Sequence, residues 1–128
     1  MTRRQPERAE QRGIVRLLQH IGARCWVIGT TRRRGDYHGT MQTPGLPDLI
    51  AHLPRGQGVL FVEVKAKGGR LRPEQAEFRM ACTACAPPYQ VHHVVGGLDS
   101  VIAYLVHLGL LKAEQVPHYR LTEAALEL

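Results

Sequence analysis

The chain has few aromatic residues, few cysteines and no long apolar run. Its 128 residues include one Trp, two Phe and four Tyr, and only three Cys. No apolar stretch approaches the ~18 residues that a membrane-spanning helix requires, and the N-terminus lacks the apolar segment of a signal peptide. An uneven number of cysteines without a secretion signal is typical of a reducing compartment. We therefore expect a globular, cytoplasmic protein.

Several signatures of common enzyme classes are also missing. The sequence contains no phosphate-binding P-loop, no Gly-x-Ser-x-Gly segment and no dinucleotide fingerprint. The length predicts a single domain, because cores usually stay single up to ~200 residues. We expect its core at about residues 6–108, followed by a tail over 109–128. Cys82 and Cys85 form one CxxC on a predicted helix, where zinc binding and ordinary packing both stay open.

Acidic residues are scarce in the first quarter of the chain. Residues 1–34 contain nine Arg and two Glu, a net of +7, whereas residues 35–128 carry eight basic and nine acidic residues, a net of −1. Arg suits phosphate because its planar fork of donors matches two oxygens at once. This asymmetry fits either a solvated helix face or a nucleic-acid footprint. The candidate DNA contacts are Arg8, Arg12, Arg32, Arg33, Arg34, His38 and Lys67.

Apolar periodicity, together with proline and glycine positions, predicts an αβββαβ core with a further helix after it. The loop over 30–45 is long, and such loops in compact domains are usually functional. A short helix over 121–128 is also possible. The order of elements predicts an α/β fold with a central mixed sheet flanked by helices. In chain order we expect helix 6–21, strand 25–28, strand 46–53, strand 59–65, helix 73–85, strand 90–95 and helix 98–108.

Two acidic residues lie on neighbouring predicted strands. A hairpin centred between Arg55 and Gly56 places Asp48 opposite Glu63, and directly opposed residues have Cβ atoms ~5 Å apart. Side chains alternate along a strand, so Lys65 projects to the same side as Glu63. A surface ion pair would explain Glu63 and Lys65 alone. Phosphodiester hydrolysis would use the whole set, because two carboxylates can hold a divalent cation that generates a nucleophile and screens the phosphate.

The order of short motifs resembles the PD-(D/E)XK nuclease superfamily, and more closely its stand-alone VRR-NUC branch. The matching segments are Gly45-Leu46-Pro47-Asp48, then Glu63-Val64-Lys65, then Gly68 to Gln75. The resemblance implies a restriction-endonuclease-like fold and a nuclease that depends on Mg²⁺ or Mn²⁺. It implies Asp48, Glu63 and the Val64 carbonyl as metal ligands, Lys65 as the catalytic lysine and Gln75 as a supporting residue.

The same family pattern begins with a Glu on the opening helix, followed four residues later by Gln. Glu7 with Gln11 fits that spacing, and we expect Glu7 to complete the site by orienting a water. Glu10 is the competitor, because it shares a predicted helix face with Leu17 and Ile21.

The helix over 98–108 is apolar on more than one side, which suggests burial by a partner or by the tail. Stand-alone members of the family are similar to Holliday-junction resolvases, which implies a homodimer with two sites.

These observations lead to a metal-dependent DNA endonuclease that is selective for branched junctions. Two alternatives stay open: a repair- or restriction-type nuclease on duplex DNA, and a non-catalytic DNA-binding module on the same fold.

Overall fold

The computed structural model describes residues 4–28, 43–85 and 90–118. The predicted helix at 121–128 lies outside them. No helix of these residues is both long and apolar enough to cross a membrane. The elements in chain order are α1 (Arg4–His20), β1 (Arg24–Val27), β2 (Leu49–His52), β3 (Val59–Val64), α2 (Pro73–Thr83), β4 (Val91–Gly96), α3 (Leu98–His107) and a 3₁₀ helix (Ala113–His118).

The strands form one mixed sheet in the order β1-β2-β3-β4, which confirms the predicted fold class. β1, β2 and β3 are antiparallel, while β4 runs parallel to β3 after the crossover through α2. The β2–β3 hairpin turns at Arg55 and Gly56, whose φ angles are +57° and +68°. Two successive positive φ values are typical of the tight turns that match strand twist. The turn therefore lies where the sequence predicts it.

The two faces of the sheet differ in what covers them. The core face carries Leu49, Leu60 and Val62, which have no exposed surface and pack beneath α1 and α3. The carboxylate face carries Asp48, Ile50, Phe61 and Glu63. On that face α2 covers only the β3–β4 half, where Phe78 contacts the rings of Phe61 and His93.

Most predicted boundaries differ from the structure by one or two residues, but β2 is shorter at its N-terminal end. It begins at Leu49 rather than at residue 46. Gly45 has a φ of +96°, and a side chain there would collide with the Glu74 backbone. Pro47 has no N–H to donate to a ladder. The segment before Asp48 is therefore a turn packed against the start of α2.

The extra apolar surface of α3 is covered by the same chain. Leu110 and Leu111 are buried in the core, and Val116 of the 3₁₀ helix packs against it. Tyr104 is half-buried, and its hydroxyl lies 2.6 Å from His92 Nδ1. Of the two explanations for the apolar helix, the described residues favour coverage by the C-terminal segment.

Candidate active site

Two carboxylates meet where β2 begins and β3 ends. The observed register pairs Leu49 with Val62, so Asp48 lies opposite Glu63 as the sequence predicts. Asp48 Oδ2 accepts a 2.7 Å hydrogen bond from the Val64 backbone N–H. Its own N–H donates to the Val62 carbonyl at 3.0 Å. Backbone hydrogen bonds therefore hold the Asp48 carboxylate beside the end of β3.

Glu63 is an acidic residue that is almost completely shielded from solvent. Only 4% of the residue is exposed. Burial, followed by repulsion from the Asp48 carboxylate, raises the pKa of Glu63 to about 8, although Lys65 and Arg72 oppose the shift. Lys65 Nζ lies 3.8 Å from Glu63 Oε2. Ionisation of both acids is therefore unfavourable in the empty cleft, and a cation bound between them would favour the ionised form of Glu63.

Gln75 connects α2 to this pair. Its Nε2 donates to Glu63 Oε2 at 3.1 Å, and its Oε1 accepts the Arg72 backbone N–H at 2.8 Å. The second bond satisfies an amide at the helix start, where backbone donors lack helical partners. Gln75 therefore orients Glu63 from a position that the helix itself stabilises.

Glu7 and Glu10 take different places although both lie on α1. Glu7 borders the cleft, and its Oε2 accepts the Ala66 backbone N–H at 3.4 Å. Glu10 Oε1 accepts the Leu98 N–H at 2.8 Å, at the first turn of α3. A side chain at Gly97 would collide with the Glu10 carboxylate. Glu10 is therefore committed to capping α3, and Glu7 is the acid of α1 that borders the cleft.

The cleft in front of the carboxylates has a volume of about 430 Å³. Asp48, Glu63, Val64 and Lys65 line it, with Glu7, Arg72 and Gln75 at its border. No group of three or more His, Cys, Asp or Glu side chains in the described ranges is arranged to hold a metal ion. Two carboxylates nevertheless fit Mg²⁺, which commonly takes one or two of them and fills its remaining positions with waters and phosphate oxygens.

The CxxC cysteines do not lie in this cleft. Cys82 is buried and Cys85 is exposed at the end of α2, and neither forms a disulfide. Cys82 lies within α2, whereas Cys85 follows the last helical residue, Thr83, so the two are not a pair on one helix face.

The predicted DNA contacts fall in two groups. Arg8 and Arg12 lie on one exposed side of α1, four residues apart, and Lys67 is exposed just after β3. All three are accessible to a large ligand. The predicted contacts Arg32, Arg33, Arg34 and His38 lie outside the described residues.

Arg72 is a cleft residue that the sequence analysis missed. It borders the cleft, and its charge lowers the pKa of Glu63 against the effect of burial. A signal was present, because Arg72 precedes Pro73 at the start of a predicted helix and lies three residues before Gln75. A residue at that position reaches the same side of the cleft as Gln75.

The αβββαβ order, with opposed acids and a lysine on one face of the sheet, is that of a PD-(D/E)XK nuclease domain. Residues 5–96 match the profile of the VRR-NUC domain. A solved structure described as a VRR_NUC domain is 25% identical, with 80% of this chain and 95% of that chain covered and a TM-score of 0.53. The chain belongs to the VRR-NUC family, which confirms the resemblance. Its function is therefore of the nuclease type, with DNA as the substrate.

A comparison with the sequences of curated proteins finds no match.

Proposed function

We propose that the chain is an endodeoxyribonuclease that depends on Mg²⁺ or Mn²⁺ and prefers branched DNA. The observation that carries this proposal is the opposition of Asp48 and Glu63 beside Lys65, with burial raising the pKa of Glu63 to about 8. A protein that only bound DNA would gain nothing from two acids facing a phosphate, one of them buried and the other half-buried. A cation held between the two carboxylates offsets the repulsion between them, and this gain favours cation binding.

Each residue then has a separate task in hydrolysis. Asp48 and Glu63 hold the cation, with the Val64 carbonyl as a further oxygen donor. When bound there, the cation would supply positive charge at the scissile phosphate and a nucleophile at neutral pH. Lys65 orients the attacking water and faces the charge that develops on the phosphate. Glu7 orients a second water, and Gln75 holds Glu63 in place through its 3.1 Å hydrogen bond.

Substrate grip is separate from this chemistry. Arg8 and Arg12 are exposed on α1, and Lys67 is exposed just after β3. We propose that they bind phosphates together with Arg32, Arg33, Arg34 and His38. Phosphate contacts carry no sequence information directly, so they suit recognition of a DNA shape.

A four-way junction contains two strands to cut, and the described residues of one chain form one pair of opposed carboxylates. We propose that two copies act together as a homodimer, since a two-fold pair presents two sites symmetrically. Because the chain's own C-terminal segment covers α3, the contact between copies should use another surface. Light scattering during size-exclusion chromatography would give the mass, and a monomer at the concentrations that cleave a junction would contradict the dimer.

Cleavage of a four-way junction, a flapped duplex and a plain duplex tests the activity, each with Mg²⁺, Mn²⁺ or EDTA. We expect cutting only with metal, and fastest on the junction. Asp48→Asn and Lys65→Ala should each slow cutting about a hundredfold or more. The matched control is Glu77→Gln, which removes an exposed acid of α2. If the wild type cuts no DNA, or if both site variants cut as well as Glu77→Gln, the enzymatic proposal is wrong.

Metal binding has a readout that does not depend on turnover. At pH 8, Mg²⁺ should raise the thermal midpoint of the wild type and of Glu77→Gln, because a ligand that binds only the folded state stabilises it. The Asp48→Asn variant should show little of this increase. An equal increase in all three proteins would place the cation elsewhere.

A further inference from the structure

An exposed tryptophan lies on the carboxylate face, beyond the part that α2 covers. Trp26 is 43% exposed, and it is the chain's single tryptophan. Trp26 pairs with Ile50 across the sheet, in the row next to the one that contains Asp48 and Glu63. Large aromatic side chains bury most of their surface in ordinary cores, so one left open beside a candidate cleft is a candidate for binding.

The position of Trp26 connects it to the carboxylates. Ile28 directly follows β1, two residues after Trp26, and lines the cleft; its N–H donates to the Asp48 carbonyl at 2.8 Å. Same-face residues are about 7 Å apart along a strand, and neighbouring strands are about 4.8 Å apart. The backbone of Trp26 is therefore about 8 Å from that of Asp48 by strand geometry. A nucleotide adjoining a phosphate in the cleft can reach the indole ring.

Cationic and polar groups surround the ring. The guanidinium carbon of Arg24 lies over the indole ring, 5.7 Å from its centroid, and the His52 ring approaches edge-on with its centroid at 5.0 Å. Both residues are exposed. This composition suits a nucleotide, because the base can stack on the face of the indole that Arg24 does not cover, while the guanidinium contacts the attached phosphate. The patch suits a protein–protein contact less well. Such a contact would desolvate the Arg24 charge, and the patch itself contains no acid to pair with it.

We propose that Trp26, flanked by Arg24 and His52, is a stacking site for an unpaired DNA base beside the carboxylate cleft. The proposal rests on the proposed function, in that it names the kind of DNA the cleft receives: a strand with at least one unstacked base near the cut. Bases inside a duplex are stacked on their neighbours and leave no face for an indole ring. A base at a junction, in a flap or in a single strand exposes a face on which the indole ring can stack.

The single tryptophan allows a direct test on the full chain. Intrinsic fluorescence is followed in EDTA while an eight-nucleotide oligo-dT is added, and then an abasic oligomer of the same length and charge. Stacking predicts strong quenching by oligo-dT and weak quenching by the abasic strand. Equal quenching by both strands would overturn the proposal. An emission that changes with protein concentration in the absence of DNA would overturn it too, because a second copy then covers the ring.

Substitutions give a second measurement through the anisotropy of labelled oligo-dT. Trp26→Ala should weaken binding about tenfold and Trp26→Phe about threefold or less, because stacking on an aromatic ring tolerates ring replacement. The matched control is Val27→Ala, since Val27 is the next residue, is 47% exposed and lies on the opposite face of the sheet. Circular dichroism and thermal melting check that each variant folds. Unchanged affinity in Trp26→Ala would contradict the stacking site.

Failure of this proposal is distinguishable from failure of the proposed function. Junction cleavage by the wild type with Mg²⁺, combined with full oligo-dT binding by Trp26→Ala, would remove the stacking site and leave the nuclease. Weakened oligo-dT binding by Trp26→Ala, in a wild type that cuts nothing, would keep the stacking site and remove the catalytic role.

Discussion

The two faces of the sheet are built from alternate residues of the same strands, yet they are stabilised differently. In β3, Val62 and Val64 on the core face and Glu63 on the carboxylate face are all nearly inaccessible to solvent. The core-face residues pack against aliphatic side chains of α1 and α3. Glu63 instead depends on a hydrogen bond from Gln75 and a nearby lysine. Equal burial therefore has different consequences: apolar contact stabilises the core face, while on the carboxylate face burial raises the pKa of Glu63 because the nearby positive charges compensate its ionised form only in part.

The largest effect should come from opening a cavity on the core face. Leu60 has no exposed surface, and we expect Leu60→Ala to lower the free energy of unfolding by about 3 kcal/mol. Its neighbour Phe61 is half-buried on the carboxylate face and packs mainly on Phe78. Phe61→Ala should lower it by about 1.5 kcal/mol, although it removes a larger side chain. Urea denaturation measures both values, and a larger loss for Phe61→Ala would show that the faces are packed alike.

The next effect concerns the pH dependence of the metal-free protein. The pKa of Glu63 is raised to about 8 in the folded chain, against an ordinary value of 4.5. Between those values the folded protein holds a proton that the unfolded chain releases. This contribution to stability is fully present below pH 4.5 and is lost as the pH rises through 8. In EDTA the wild type should therefore melt about 5 °C or more lower at pH 8 than at pH 5.5, relative to Glu63→Gln.

The Glu63→Gln variant is the control for that experiment, because its amide has a similar shape and does not titrate. Its thermal midpoint should vary less between the two pH values. A wild type that followed the same pH curve as Glu63→Gln would show that the Glu63 carboxyl is ionised in the metal-free fold.

Much of the fold could be predicted because its local signals agree with one another. A short apolar run defines β3, and Arg55-Gly56 supplies the turn that sets the register of Asp48 against Glu63. Where the signals conflict, the prediction is less accurate. Residues 46–48 have an apolar, strand-like composition, but Gly45 and Pro47 make them a turn that packs on α2. The 3₁₀ helix at Ala113–His118 has too little periodicity to be recognised.

The residue types of the site and the opposition of Asp48 and Glu63 could be predicted, but the hydrogen bonds that hold the site could not. Asp48, Glu63, Lys65 and Gln75 were identified from motif order, and the structure brings all four to one cleft. Their catalytic roles stay predictions. Spacing along a helix could not separate Glu7 from Glu10, because the answer depends on where α3 begins. Trp26 received no role from the sequence, since its exposure follows from how far α2 extends across the sheet.

The smallest effect separates these two acids of α1. Glu10 accepts a 2.8 Å bond at the start of α3, so Glu10→Ala should lower the free energy of unfolding by about 1 kcal/mol. Glu7 accepts a single 3.4 Å bond from Ala66, and Glu7→Ala should change stability by less than about 0.5 kcal/mol. Junction cleavage should respond in the opposite order, with Glu7→Ala slowed about tenfold or more and Glu10→Ala nearly unchanged under conditions where it is folded. Each variant is the control for the other: Glu10→Ala should lose stability but keep cleavage, and Glu7→Ala should lose cleavage but keep stability. Parallel losses of stability and cleavage in both would mean that α1 contributes to the carboxylate face only by packing.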